Sequence, residues 1–305
     1  MKVATFRHNG TDAVGVVLDE SIVDLKKAAQ LSGEAPDPIF ESMLTFIASG
    51  DEGLLRAQNA MDRTASLAHI PLRSVELLAP IPRPTKNVFC LGRNYAEHAA
   101  ESLRAIGQEV RLPAYPNVFT KAITSINGPY ADIPFDATVS DKLDWEVELG
   151  VIIGKGGRHI SREDALEHVW GYTVINDISA RDIQHLAGVQ FFQGKSLDGS
   201  CPIGPWITTC DAVPDPQRLS LHLWVNDALK QSGNTADMLF DVATIVSALS
   251  RVLTLESGDI IATGTPDGVG FARTPPEFLQ PGDVVRAEVE GLGELRNVVR
   301  DVRQG

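Results

Sequence analysis

The chain has 305 residues, room for about two domains, and its 43% hydrophobic and 22% charged content is that of a folded protein with a substantial core. The 27 Lys and Arg against 40 Asp and Glu leave a formal net charge of −13, and no basic run interrupts that acidity, so nucleic acid and anionic membrane are excluded as expected partners. No stretch has the apolar length of a signal peptide or a membrane span, and Cys90, Cys201 and Cys210 follow no C-x-x-C spacing, which reads as a cytoplasmic protein with reduced, packing cysteines. Residues 2–6 and 13–18 form a hairpin around Asn9-Gly10, followed by helical patterns at 38–47 and 53–65. Pro80, Pro82 and Pro84 make a stiff linker, which divides a small N-terminal α/β domain (1–78) from the body (79–305). The body carries strand signals at 88–91, 116–121, 145–153, 169–177, 219–225, 260–263, 284–289 and 293–302, with turns at 281–283 and 291–293. Helices are expected at 161–168, with Ser161 and Asp164 as its cap, and at 238–252. The pattern is mainly β (α+β), without βαβ alternation.

The segment Asp144-Trp145-Glu146-Val147-Glu148-Leu149-Gly150 carries the strongest chemical signal. Side chains at i and i+2 of a strand share a face, so Glu146 and Glu148 stand together while Trp145, Val147 and Leu149 point the other way. Adjacent carboxylates on an apolar strand repel and lose hydration. A divalent cation relieves both, and oxygen-only donors select Mg²⁺ or Mn²⁺, with Ca²⁺ admitted, over Zn²⁺. The competing reading is an edge strand with two solvated glutamates. Asp177 ends the apolar stretch 171–177 and joins the pair if the two strands are neighbours; otherwise it caps the next turn. His98 and Glu101 share a face at i, i+3 spacing, where a carboxylate orients and strengthens an imidazole base; a surface salt bridge competes with that role. Lys195, beside Gly194, reads from its neighbours as an exposed loop lysine, with an oxyanion contact as the sharper alternative. The glycines of 263–270 can turn backbone N–H groups toward a carboxylate. The same stretch lacks the Gly-Lys-Ser/Thr of a phosphate loop, and 154–157 lacks the dinucleotide spacing, so ATP and NAD are excluded.

Six segments follow one another across residues 80–300: Gly92-Arg93-Asn94-Tyr95 with His98 and Glu101; Phe119-Thr120-Lys121; Glu146-Val147-Glu148-Leu149-Gly150; Asn176-Asp177 through Ala180-Arg181-Asp182; Gly194-Lys195-Ser196; and Thr263-Gly264-Thr265-Pro266. In this order they resemble the fumarylacetoacetate hydrolase family, while residues 1–78 are similar to the small leading domain of its longer bacterial members. The resemblance implies a mixed β-sandwich roll, a homodimer, and Mg²⁺ or Mn²⁺ in an acidic cleft. By position it implies Glu146, Glu148 and Asp177 as metal ligands, His98 and Glu101 as a water-activating dyad, and Lys195 assisting beside the metal. Arg93, Lys121, Arg181, Gln184 and Thr265 would line the pocket or hold the carboxylate of a small 2-oxo acid. The further upstream Asp used by the fumarylacetoacetate-cleaving enzyme has no equivalent here, which favours the acylpyruvase and 2-hydroxyhepta-2,4-diene-1,7-dioate isomerase-like branch.

The implied chemistry is hydrolysis of a C–C bond in an acylpyruvate-type 2,4-dioxo acid through a metal-stabilised pyruvate enolate. Oxaloacetate-like 2-oxo-dioate decarboxylation or isomerisation uses the same intermediate and is the alternative, with ureidoglycolate lyase a third. A carboxylate-binding protein without turnover is the contrasting class; the dyad and the carboxylate set together argue against it. Specificity is expected from the pocket beyond the metal, including 102–116 and 186–192.

Overall fold

In the computed structural model, residues 1–31, 38–64, 68–186 and 190–304 are described; Ala65 of an expected helix and 187–189 of an expected specificity segment lie outside them. The chain opens with β1 (Lys2–His8) and β2 (Thr11–Leu18), joined at Asn9 (φ 51°) and Gly10 (φ 77°), the left-handed pair that a two-residue hairpin demands. β3 (Ser21–Asp24), α1 (Leu25–Leu31), α2 (Met43–Ala48), α3 (Gly50–Thr64), β4 (His69–Pro71) and β5 (Glu76–Leu77) complete the N-terminal part. Ser42 caps α2 in a reciprocal box with Thr45, which sets the helix start after a 3₁₀ turn at Pro38–Glu41.

The body begins with β6 (Val88–Gly92), α4 (Ala96–Ala105), β7 (Asn117–Lys121), β8 (Ile126–Asn127), β9 (Ile133–Phe135) and β10 (Leu143–Asp144). The central hairpin β11 (Val147–Ile153) and β12 (Val169–Asn176) leads into β13 (Ser179–Ala180), α5 (Arg181–Leu186) and α6 (Phe192–Lys195). Then come β14 (Cys201–Thr209), β15 (Ser220–Val225), β16 (Ala228–Asn234), α7 (Val242–Val252), β17 (Ile260–Ala262), β18 (Val284–Val289) and β19 (Gly293–Asp301). A 12-stranded sheet runs β4-β3-β2-β1-β14-β12-β11-β17-β6-β7, with β5 on β1 and β8 on β14. A five-stranded sheet, β16-β15-β18-β19-β9, packs on it. β1 hydrogen-bonds β14 (Lys2 opposite Thr208), so one sheet spans the boundary expected near residue 78. The fold is a mixed α+β architecture dominated by sheet.

Alternation along β11 explains the two layers. Val147, Leu149, Val151 and Ile153 enter a core with Leu221, Leu223, Val285 and Leu295 of the second sheet. Ile152 and Ile175 face the other way, into a core with Phe46 and Ile47 of α2. Each such fully buried side chain contributes about 1.5–3 kcal/mol. No helix among the described residues is long and apolar enough to cross a membrane.

Two local expectations change. Over 161–168 the chain makes only a 3₁₀ turn, Ala165–His168. Asp164 N–H does bond Ser161 Oγ at 3.1 Å, but the His168 ring bonds Lys155 O at 2.6 Å and β12 starts at once, leaving no length for an α-helix. The helix expected over 238–252 begins at Val242, because Asp241 caps it by accepting from Thr244 N–H at 2.7 Å.

Candidate active site

β11 and β12 pair antiparallel with Val147 opposite Asn176. Glu146 therefore lies across from Asp177, whose N–H donates to the Glu146 carbonyl at 2.9 Å, and Glu148 follows on the same face. One carboxylate oxygen from each of Glu146, Glu148 and Asp177 lies within 4.8 Å of the other two, and all three residues are buried. Trp145, Val147 and Leu149 occupy the core on the opposite face, as the strand period requires.

Buried cations hold most of this charge. Lys195 Nζ donates to Glu146 Oε2 at 2.6 Å and to Asp177 Oδ2 at 2.8 Å. It is 2% exposed, so the exposed-loop reading of this residue does not hold: α6 folds it inward against the Phe119 ring. Arg181 spends Nε on Asp144 (2.8 Å), Nη2 on Glu146 (2.7 Å) and Nη1 on Gln184 Oε1 (3.0 Å), with its plane over Phe271. Lys121 Nζ is 2.8 Å from Asp177 Oδ1 and also donates to Ile178 O and Ser200 Oγ. Burial works to raise the Glu146 carboxyl, but Lys195 and Arg181 outweigh it and hold the group down at about 2. Glu148 goes the other way: burial first, then Asp177 and Glu146, push its carboxyl well above the ordinary range.

Among the described residues Glu148 makes no ion pair, and it accepts the Gly264 N–H at 2.7 Å. A buried carboxylate with no ion pair among the described residues leaves an electrostatic deficit at Glu148 that a divalent cation would fill. The donor set, three carboxylates with no thiolate or imidazole, suits a hard ion such as Mg²⁺ or Mn²⁺.

The dyad comes from α4. His98 Nδ1 is 3.1 Å from Glu101 Oε1, and Glu101 accepts the Gly268 N–H at 3.0 and 3.1 Å. A carboxylate fixed this way can only accept, so the Nδ1 position carries the ring proton and Nε2 is left as a base. The glycines of 263–270 thus turn their N–H groups onto the protein's own carboxylates, Glu148 and Glu101, rather than onto open space.

A cavity of about 40 Å³ is reached by His98 of the dyad and Glu146 of the triad, while Glu101, Glu148 and Asp177 lie behind its wall. Arg93, His98, Glu146, Arg181, Gln184, Lys195 and Thr265 supply its polar wall; Leu91, Phe119, Phe191 and Phe271 supply its apolar one. Lys121 is fully enclosed beneath Asp177 and is not on that wall. Thr265 reaches the wall, but its hydroxyl is already spent on Val147 O (2.9 Å) and Gln231 Nε2 (2.8 Å). Three contributors were not singled out from the sequence, although Ser102 opens the 102–116 segment expected to shape the pocket. Asp144 accepts from Arg181 and from the Gly270 and Phe271 N–H groups. Ser102 lies one helical turn after His98 with Oγ 3.5 Å from both ring nitrogens. Gln231, on the far sheet, accepts from Val147 N–H and donates to Thr265 and Pro266, tying β11 to the 263–270 loop.

The fumarylacetoacetate (FAA) hydrolase C-terminal family model matches residues 87–300. The chain belongs to the fumarylacetoacetate hydrolase family. Within that family it is similar to the oxaloacetate tautomerase YisK of Bacillus subtilis (strain 168), 42% identical over 307 residues that take in 98% of this chain and 100% of YisK. The structure of a fumarylacetoacetate hydrolase from Exiguobacterium antarcticum superposes with a TM-score of 0.82 at 42% identity, covering 99% of each chain. A maleylpyruvate hydrolase of Sphingobium sp. SYK-6, solved with manganese(II) and pyruvate, gives 0.76 at 33% identity over 99% of each chain. The protein is therefore a member of an enzyme family, and its acidic triad lies within the matched region.

Proposed function

We propose that the protein catalyses keto–enol tautomerisation of a small 2-oxo dicarboxylate of the oxaloacetate class, with Mg²⁺ or Mn²⁺ held by Glu146, Glu148 and Asp177. The observation that carries this reading is one small cavity walled by a fixed imidazole base, a buried ammonium and the acidic triad's Glu146. Full-length similarity to YisK supports it. When bound, the cation supplies Lewis-acid pull on the 2-oxo and carboxylate oxygens, which acidifies the C3 protons. His98 Nε2 takes a C3 proton, the C3–H electron pair becomes the C2–C3 π bond, and the resulting imidazolium returns a proton to the 2-oxo oxygen to give the enol and the neutral base. Glu101 holds the ring and offsets the imidazolium charge that forms. Lys195 has two of its three N–H groups on Glu146 and Asp177, which leaves one for the developing oxyanion. Burial works to lower its pKa, but Asp177 and Glu146 outweigh this and raise it, so it stays an ammonium. Phe119, Phe191 and Phe271 shield the reacting atoms from water.

Hydrolysis of an acylpyruvate is the second reading. The His98–Glu101 pair is equally suited to activating water, and similarity to the maleylpyruvate hydrolase points the same way. The two part in a single experiment. Mg²⁺-loaded protein is offered oxaloacetate and a small acylpyruvate panel in D₂O, followed by proton NMR. Accelerated C3 exchange of oxaloacetate, lost in His98→Ala and without faster pyruvate release, is the expected result. Pyruvate released from an acylpyruvate with no acceleration on oxaloacetate would replace tautomerisation by hydrolysis, and faster loss of CO₂ would replace it by decarboxylation.

A further inference from the structure

We propose that Arg93 binds the second carboxylate of the substrate and so selects a 2-oxo dicarboxylate over a 2-oxo monocarboxylate. This rests on reading the cavity as a 2-oxo acid site. Arg93 sits between β6 and α4 with φ at 59°, in the left-handed region that a residue with a side chain seldom adopts. Strain of that kind persists only where the surroundings over-determine it. Here Asn94 does so: its Nδ2 donates to Thr263 O at 2.7 Å and Phe240 O at 3.0 Å, its Oδ1 accepts the Phe240 N–H at 2.9 Å, and its carbonyl accepts the Leu239 N–H at 2.7 Å. The buried asparagine thus fixes a strained turn whose product is a half-buried arginine on the cavity wall.

That arginine has no hydrogen-bond or ion-pair partner among the described residues. The other cations of the site are committed. Lys195 and Lys121 serve Asp177, and each nitrogen of Arg181 already has a protein acceptor. Burial without an anion lowers the Arg93 pKa, a cost that a bound carboxylate would relieve. Glu146 of the triad and Arg93 line the same cavity, so a substrate whose 2-oxo end lies at Glu146 can offer a second carboxylate to Arg93. A guanidinium also matches a carboxylate with two parallel N–H donors, which an ammonium cannot do.

The test uses Arg93→Gln and Arg93→Gly, the second because glycine accepts the left-handed conformation and so removes the cation without a folding penalty. Oxaloacetate enol–keto conversion is compared with exchange of pyruvate methyl protons in D₂O. Both variants should raise KM for oxaloacetate about 10- to 100-fold, the worth of a hydrogen-bonded charge, with little change in kcat or in pyruvate exchange. Binding is measured separately by calorimetry on Mg²⁺-loaded protein with L-malate and L-lactate, which differ by the far carboxylate and carry no ketone. Wild type should prefer malate and both variants should bind the two alike. An unchanged malate preference in folded variants, or equal losses on oxaloacetate and pyruvate, would overturn the inference. Malate preference lost in the variants, with wild type inert on oxaloacetate, would keep Arg93 in its role and overturn tautomerisation instead.

Discussion

Replacing Glu148 by Gln should make the metal-free protein more stable and the protein with metal less so. The carboxylate is buried without an ion-pair partner among the described residues, and Gly264 N–H donates to it. An amide of the same shape keeps that bond through its oxygen and turns an NH₂ toward Glu146 and Asp177. The amide carries neither the buried charge nor the cost of protonating the carboxyl in its place, a difference of about 1–3 kcal/mol where the unfolded chain is ionised. At about 2 °C per kcal/mol for a chain of this size, the unfolding midpoint in chelator should rise by about 2–6 °C. The sign with pH follows from the raised carboxyl. Between the ordinary carboxylate pKa and the elevated one, the unfolded chain is ionised and the native one is protonated at Glu148. Wild-type metal-free stability therefore falls as pH rises through that window, a component that Glu148→Gln lacks. Mn²⁺ at a hundred times its dissociation constant adds about 2.7 kcal/mol to wild type; a variant weakened about 100-fold gains less than about 0.5 kcal/mol. Thermal unfolding from pH 5 to 8, with chelator or Mn²⁺, reads all of this. A metal-free variant that melts below wild type, or one that gains as much from Mn²⁺, would refute the reasoning.

Three further outcomes follow from the same geometry. His98→Ala should lower kcat by about 10²–10⁴ while Mn²⁺ affinity, followed by electron paramagnetic resonance, stays at the wild-type value, since the ring is no part of the triad. Gln231→Met removes the three bonds that tie β11 to the 263–270 loop; stability should fall by about 1–3 kcal/mol in denaturant titration, and Mn²⁺ affinity should weaken with it. Mn²⁺ binding must displace the proton that the raised Glu148 carboxyl retains, so affinity should climb with pH, and calorimetry in buffers of different ionisation enthalpy should register proton release.

The parts of the site that were legible in the sequence are those governed by short-range periodicity. The i, i+2 spacing of Glu146 and Glu148 and the i, i+3 spacing of His98 and Glu101 survive into three dimensions because strand and helix geometry act over a few residues. Asp177 needed one further condition, that β11 and β12 be neighbours, and the hairpin register meets it. What spacing cannot carry is long-range partnership. Gln231 reaches Val147 across 84 positions, and Lys195 reaches Glu146 across 49, so nothing beside them in the chain marks them as buried. β14 was missed because Pro202, Gly204 and Pro205 read as strand breakers, yet it pairs with β1 and β12 in the middle of the large sheet. β16 was missed because Lys230, Gln231, Ser232 and Asn234 lack apolar alternation, as befits an edge strand. Arg93 was placed near substrate by family resemblance alone; its strained backbone and the commitment of every competing cation are properties of the fold.

The most direct test of the central claim is a Mn²⁺ titration of chelator-treated protein in which bound metal and the rate of oxaloacetate enol–keto conversion are measured on the same samples. Activity should be at the uncatalysed level without metal, rise in proportion to bound Mn²⁺, and saturate at one ion per chain, with the Glu148→Gln binding curve shifted about 100-fold to higher Mn²⁺. Conversion at full rate in the absence of metal, or bound metal with no acceleration, would contradict the assignment of Glu146, Glu148 and Asp177 to a catalytic cation.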